Sequence, residues 1–286
     1  MGGVQLTRYD NAQDFMAAAG PFLAAREAEH NLMLGIVSNL LGDAGAYDAA
    51  PLLASVTDGG GELLAAVIRT PPHNMVMSEL DDRAAIALLA DGLAAEQLPG
   101  AVGPPSAIRA FADAWTAASG GSWRVGREER IYRLSEVTPP APGHGAPRVA
   151  DASDRETIGG WLAAFEREAL DEEAEAGMIE RALDAWLRGG ARRFWLWDDD
   201  DRPVSLVGAG GRTPNGVRIG PVYTPPAERG NGFASSLTAW VSQAMLDEGR
   251  RYCFLYTDLG NRTANHIYQA IGYQPVTDAL MVSFRP

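Results

Sequence analysis

Cysteine is nearly absent from this chain. Its 286 residues contain one, Cys253, so no intrachain disulfide can form. That cysteine lies in the apolar run Tyr252-Cys-Phe-Leu-Tyr256, a setting for a small buried hydrophobe rather than a reactive thiol. Histidine is scarce as well. The four present are scattered without metal-ligand spacing, so no metal is expected. Basic residues are outnumbered, 24 against 37 acidic, for a net charge of −13. A chain this acidic lacks the basic face that nucleic acid demands. The same charge steers cationic or amine-bearing substrates toward the protein and keeps it soluble. No apolar run approaches the length of a membrane span. The first residues lack the basic, apolar, small-residue order of a secretory signal. The expectation is a soluble, cytoplasmic protein without nucleic-acid or membrane partners, as a monomer or homodimer.

What is present is enough apolar material for two cores. Hydrophobic residues make up 46%, and the length suits two ordinary domains. Val4 to Tyr9 alternates like a strand, and Asn11 or Asp14 is placed to cap a following helix. Phe22 to Leu41, after Pro21, carries apolar residues at helical spacing. Three strands follow, at Leu52–Thr57, Leu63–Arg69 and Met75–Leu80, the first two joined by the turn Asp58-Gly-Gly-Gly61. Asp82–Gln97 reads as a helix, Ala101–Gly103 as a short strand, Ser106–Ser119 as a helix capped by Ser106, and Arg124–Leu134 as one or two strands. Thr138-Pro-Pro-Ala-Pro-Gly-His-Gly-Ala-Pro147 stops both helix and sheet. It divides the chain into 1–137, a linker 138–147, and 148–286.

The second part starts with a strand at Arg148–Ala150. Helices follow at Ser153–Leu170 and Ala174–Leu187. Strands at Phe194–Trp197 and Val204–Gly211 flank Asp198-Asp-Asp-Asp201, which reads as a solvated hairpin turn rather than a metal site. After the strand Val217–Tyr223 come a helix to Leu246, a strand Tyr252–Thr257, a helix Thr263–Ala270 and a last strand Ala279–Phe284. The order of elements repeats that of the first half, which points to a duplicated fold.

The most informative stretch is Ile219-Gly-Pro-Val-Tyr-Thr-Pro-Pro-Ala-Glu-Arg-Gly-Asn-Gly-Phe-Ala234. A strand breaks into a glycine loop, and the loop enters a helix. Gly230 and Gly232 allow backbone N–H groups to turn inward. The helix start adds unpaired N–H groups and a favourable dipole. The combination suits a phosphate or pyrophosphate. It is neither a Walker loop nor a dinucleotide fingerprint, since the required spacing fails. The matching loop of the first half, Leu80-Asp-Asp-Arg-Ala84, has no glycine, and its aspartates repel phosphate. A second constellation lies downstream in Asn261-Arg-Thr-Ala-Asn-His-Ile-Tyr-Gln-Ala-Ile-Gly-Tyr273. Asn261, Ala264 and Tyr268, at i, i+3 and i+7, share a helical face.

With both motifs in view, residues 148–286 resemble the GCN5-related N-acetyltransferase (GNAT) superfamily. Its R/Q-x-x-G-x-G/A pattern appears as Arg229-Gly-Asn-Gly-Phe-Ala234. Its N-x-x-A-x-x-x-Y-x-x-x-G-F/Y pattern appears as Asn261 to Tyr273, with Tyr273 for the usual Phe. The layout is similar to tandem members with a degenerate first copy. The resemblance implies an α/β fold of two GNAT-like domains. Each would be a mixed, mostly antiparallel sheet flanked by helices, with parallel strands splayed at the cofactor cleft of the second.

The resemblance further implies acetyl-CoA as cosubstrate. Its pyrophosphate would meet the backbone of Gly230, Asn231, Gly232, Phe233, Ala234 and Ser235, with Arg229 at the entrance. The pantetheine would lie along Val222, Tyr223 and Thr224, with Asn261 and Ala264 on the other side. Tyr268 would act as general acid and the Val222 N–H as oxyanion donor. Glu166, Glu168, Glu172 and Asp258 are candidate bases. Glu29-His30-Asn31 in the first half either reaches the acceptor cleft or is a hydrogen-bonded core feature. The implied reaction is acetyl transfer to a primary amine of a small molecule or a peptide N-terminus. Mycothiol-synthase-like activity and a non-catalytic acyl-CoA-binding module are the alternatives.

Overall fold

The computed structural model describes residues 3–42, 47, 49–141, 143–170, 176–190 and 192–285. The elements in chain order are β1 (Gln5–Arg8), α1 (Ala12–Ala25), α2 (Asn31–Gly42), β2 (Leu52–Thr57), β3 (Leu63–Arg69), β4 (Met75–Met77), α3 (Arg83–Gly92), β5 (Gly100–Gly103), α4 (Pro105–Ser119) and β6 (Ser122–Leu134). They continue with β7 (Ala146–Val149), α5 (Arg155–Phe165), α6 (Ala176–Leu187), β8 (Arg193–Asp199), β9 (Arg202–Arg212), β10 (Gly216–Tyr223), α7 (Phe233–Asp247), β11 (Tyr252–Asp258), α8 (Arg262–Ala270) and β12 (Gln274–Arg285). The architecture is the α/β class expected: mixed sheet, flanking helices, and a parallel pair in each half, β4 with β5 and β10 with β11.

The chain forms two compact units, and these do not follow a linear cut at the Pro/Gly segment. One unit takes Met1–Tyr132, Tyr256–Arg262 and Pro275–Pro286; the other takes Arg133–Leu255 and Thr263–Gln274. The segment 138–147 lies wholly within the second unit. The Thr138 N–H donates to the Ile271 carbonyl, and Trp197 Nε1 donates to the His144 carbonyl. Its described residues are therefore fastened down rather than swinging free, and Ala146 and Pro147 already belong to β7.

In the first unit the strand order is β1-β2-β3-β4-β5-β12-β6. Alternation along β2 and β3 builds two cores. Ala54, Val56, Ala65 and Val67 face the cluster that holds α3 and α4 through Leu89, Ile108 and Phe111. Leu53, Ala66 and Ile68 face the opposite cluster, with Phe15 and Leu23 of α1 and Met33 and Val37 of α2. In the second unit the order runs β11-β10-β9-β8-β7. Phe194, Leu196 and Leu206 pack with Ile158, Ile179 and Leu183 of α5 and α6.

Several boundaries differ from the sequence expectation, each for a local reason. The helix expected over Phe22–Leu41 is two helices. Pro21 lies inside α1, capped at its start by Asn11, and α1 ends at Ala25. The break is sealed by His30, whose Nδ1 lies 3.1 Å from the Leu23 carbonyl and satisfies one of the helix's terminal carbonyls. Helix α4 starts on Pro105 without a side-chain cap, so Ser106 is not its cap; proline at the first helical position needs no donor there. Asp151, not Ser153, caps the turn before α5, accepting from the Ser153 N–H and hydroxyl. A π-helical turn, Glu166–Leu170, ends that segment. The expected start of the next helix at Ala174, and Glu172, lie outside the described residues.

Candidate active site

Strand β10 carries the first irregularity. Its register against β9 runs Ile219↔Ala209 and then Val222↔Val207, so Gly220 and Pro221 stand opposite a single residue as a bulge. Gly220 has φ +141, and a Cβ at Gly208 would press on its carbonyl oxygen. Pro221 sits where no ladder N–H is required. Pairing with β11 covers Gly216↔Tyr252 to Arg218↔Phe254. Beyond Arg218 the parallel ladder stops while β10 continues to Tyr223, so the strand's outer half is open on that side among the described residues. The first unit is different. Its pair β4–β5 stays closed, and a Cβ at Gly103 would collide with the Met77 carbonyl oxygen.

The loop after β10 is shaped by two glycines. Gly230 and Gly232 have φ +85 and +81, and Gly232 is the N-cap of α7 with no side-chain cap. A Cβ at either would meet nothing within 4 Å, so the demand for glycine is conformational rather than steric. Among the described residues, no protein acceptor takes the N–H groups from Gly230 to Ser235; the first donation is Ser236 N–H to the Gly232 carbonyl. They form a cradle of open donors at the positive end of a 15-residue helix. The counterpart in the first unit is filled from within. Asp82 caps α3 by accepting the Ala85 N–H at 2.9 Å. Its carboxylate takes the place an anion would take.

Around the cradle, side chains are tied to one another. Arg229 Nε donates to the Thr224 carbonyl at 2.9 Å, and its Nη2 donates to Glu168 Oε2 at 2.5 Å. The Tyr223 hydroxyl donates to Glu168 Oε1 at 2.9 Å, and the Arg229 guanidinium lies 5.9 Å from the Tyr223 ring centroid. Trp161 of α5 packs 6.2 Å from the same ring. Thr224 Oγ1 is 2.8 Å from Ser205 Oγ. Asn231 Nδ2 donates to the Glu228 carbonyl. Glu168 was reachable in sequence as one acidic candidate among several. Its pairing with residues 55 and 61 positions away has no sequence signal.

That pairing counts against Glu168 as a general base. Hydrogen bonds from Arg229 and then Tyr223 hold its carboxyl below the ordinary value, whereas a base should sit near the working pH. Burial, followed by the bond to Glu168, pushes the Tyr223 phenol up. Of the other candidates, Asp258 spends Oδ1 on the Gly260 N–H at 2.5 Å, Glu166 has partners of its own, and Glu172 is not described.

Tyr268 is the buried residue of α8, at 9% exposure. Its ring meets that of Tyr273 edge to face, 6.0 Å between centroids. Burial alone pushes its phenol up to about 12. Along the same face Ala264 is half-buried and Asn261 exposed, so the expected face runs from surface to interior. Asn261 lies just before α8, its N–H on the Asp258 carbonyl at 3.0 Å. It falls in the segment Tyr256–Arg262 that clusters with the first unit. Of Glu29-His30-Asn31, two residues are hydrogen-bonded in the core: His30 is buried between the Leu23 carbonyl and Glu79, and Asn31 Nδ2 donates to the Ala28 carbonyl; Glu29 is half-buried and pairs with Arg26 at 3.6 Å. Among the described residues no group of three or more His, Cys, Asp or Glu is placed to hold a metal ion. No helix among them is long and apolar enough to cross a membrane.

Residues 157–273 match the acetyltransferase (GNAT) family model. That segment spans the cradle and Tyr268. Residues 157–273 form a GNAT-family domain. Solved structures agree on the fold over the whole length. A GCN5-related N-acetyltransferase from Sphaerobacter thermophilus is 18% identical, covering 99% of this chain and 96% of the other at a TM-score of 0.65. A tandem GNAT protein from the clavulanic acid biosynthesis pathway is 14% identical, covering 99% and 98% at 0.61. A GCN5-related N-acetyltransferase from Kribbella flavida is 15% identical, covering 92% and 96% at 0.59. At such identities the likeness is one of fold. No curated protein matches the sequence.

Proposed function

We propose that this chain is a tandem GNAT protein and transfers an acetyl group from acetyl-CoA to a primary amine of a small molecule or a peptide N-terminus. The single observation that supports this most is the row of open N–H groups from Gly230 to Ser235, present after β10 and replaced by the Asp82 cap in the first half. A diphosphate suits that cradle, as the donors are neutral, converge from backbone and need no rearrangement. The opened side of β10 at Val222 to Thr224 suits an extended chain bearing amides, which pairs with backbone as an added strand does. When bound, acetyl-CoA would supply an activated acyl thioester.

The chain's own residues would then do three things. The Val222 N–H would donate to the thioester carbonyl oxygen as charge develops there. Ala264 would border the pantetheine on the helix side. Tyr268 would donate a hydrogen bond toward sulfur. With its phenol at about 12 and a free thiol near 8.5, complete proton transfer to the thiolate is uphill by about 5 kcal/mol. Tyr268 therefore stabilises by donation rather than by giving up its proton. The bonds balance simply: N–C forms, C–S breaks, and the amine loses a proton that the thiolate finally takes.

The net charge of −13 favours amine acceptors by steering. The 24 basic residues are all arginine, so the chain has no ε-amine of its own to acetylate. This makes a mass-shift screen against pooled amines clean. Release of coenzyme A thiol together with a 42 Da gain on an amine (the mass of an acetyl group replacing a hydrogen, about 42 by simple stoichiometry) is the expected result. Coenzyme A binding without thiol release across a broad amine panel would instead identify a binding module.

A further inference from the structure

Glu168 stands just after α5, in the π-helical turn Glu166–Leu170, yet its two carboxylate oxygens are spent on Tyr223, at the end of β10, and Arg229, at the start of the glycine loop. Oε1 accepts the Tyr223 hydroxyl at 2.9 Å and Oε2 accepts Arg229 Nη2 at 2.5 Å. Arg229 is pinned twice more, by its Nε on the Thr224 carbonyl and by the face of the Tyr223 ring. The guanidinium that begins the glycine loop is thus charge-neutralised before any anion arrives. An anion entering the open N–H groups of Gly230–Ser235 meets Arg229 at the edge of the cradle, and a carboxylate and a phosphate compete for the same planar donors.

We propose that Glu168 is a positioning residue that acts as an internal competitor for Arg229: cofactor diphosphate displaces its carboxylate, which frees both Glu168 and the Tyr223 hydroxyl at the mouth of the site. This rests on the acetyl-CoA reading above. Two consequences follow physically. The cofactor must spend part of its binding on breaking the Arg229–Glu168 pair, which is about half-exposed on each side and so modest in strength. And a carboxylate that was paired becomes an unpaired negative charge once the cofactor is in place. A cationic amine is then attracted more strongly to the loaded site than to the empty one. Glu168 reads the loading of the cradle from the helix on the other side of Tyr223.

The test is a double-mutant cycle on the full chain, with coenzyme A affinity measured by calorimetry for wild type, Glu168→Gln, Arg229→Gln and the double variant. Expected is a threefold to fivefold tightening in Glu168→Gln, the range of an exposed pair released, and no tightening from the same change in the Arg229→Gln background. An unchanged or weaker Kd in Glu168→Gln overturns the proposal. So does an equal gain in both backgrounds, which would mean that removing any negative charge near the site suffices. If wild type binds coenzyme A and the cycle shows no coupling, Glu168 alone is refuted. If wild type fails to bind at millimolar coenzyme A, the cofactor reading falls and this proposal with it.

Discussion

The Tyr273 hydroxyl lies 2.9 Å from Ser242 Oγ in the interior of the second unit, and it joins the turn that follows α8 to the middle of α7. Tyr273 is 1% exposed and Ser242 fully buried. The family pattern usually has phenylalanine at this position, and the extra oxygen has its own partner here. Tyr273 also presses edge-on against Tyr268, so the bond bears on how firmly the proposed acid is held.

Tyr273→Phe leaves the Ser242 hydroxyl without that partner. The expected cost is about 1–2 kcal/mol, read as a fall of roughly 2–6 °C in Tm for a domain of this size. An unchanged Tm by calorimetry would show the bond to be worth nothing net. The aromatic ring remains, so the packing on Tyr268 should persist and kcat should change less than Tm suggests.

Alkaline pH should destabilise the fold earlier than surface groups alone would. Burial pushes the Cys253 thiol from an ordinary 9.0 up to about 12, and Tyr268 from 10.0 up to about 12. Folded pKa values above unfolded ones mean that the native state keeps protons the unfolded chain has lost. The stabilisation is complete below pH 9 and is lost as pH rises from 9 toward 12. Urea unfolding between pH 8 and 11 should show stability falling with a slope that starts near pH 9. Cys253→Ala should flatten the first part of that fall. A slope identical in the variant would mean that the thiol does not titrate with unfolding.

The two motifs were legible because each depends on local geometry that sequence records. A left-handed residue before a helix asks for glycine, and Gly230 and Gly232 supply it. An i, i+3, i+7 face needs only spacing, and Asn261, Ala264 and Tyr268 have it. The bulge at Gly220–Pro221 has a local cause too, as proline cannot donate to a ladder. What was not legible depends on distant partners. The break between α1 and α2 is sealed by a histidine whose second partner, Glu79, is 49 residues away. The division into units follows where β12 packs, beside β5 at Leu280↔Gly103, and nothing in the composition of 138–147 records that. Glu168 and Arg229 belong to elements whose meeting depends on the folded sheet.

The cradle makes a sharper prediction at its second glycine. Gly232→Ala must hold φ +81 with a Cβ, at a cost of about 1–2 kcal/mol, although space for the methyl is free. Stability should fall by that amount while coenzyme A binding weakens moderately. Gly232→Asp adds a carboxylate at the open N–H groups, as Asp82 does at α3, and coenzyme A binding should be lost. Calorimetric affinity in Gly232→Asp equal to wild type would sink the loop assignment.

Tyr268→Phe isolates the chemistry. The ring stays edge-on to Tyr273 and only the hydroxyl goes, so coenzyme A affinity should stay within about twofold, since no cradle contact changes. The turnover number should fall, by about 10²–10⁴ if donation to sulfur supplies what a positioned acid supplies. The pH profile separates this role from a merely structural one. Because burial holds the phenol near 12, Tyr268 remains protonated throughout the range in which the fold survives, and wild-type kcat should show no alkaline loss from Tyr268 between pH 7 and about pH 10. Any limb in that range must come from the acceptor amine or an unidentified base, and it should persist in Tyr268→Phe at the lower rate. If kcat is unchanged in Tyr268→Phe, or if an alkaline limb vanishes with the hydroxyl, Tyr268 is not the donor described here.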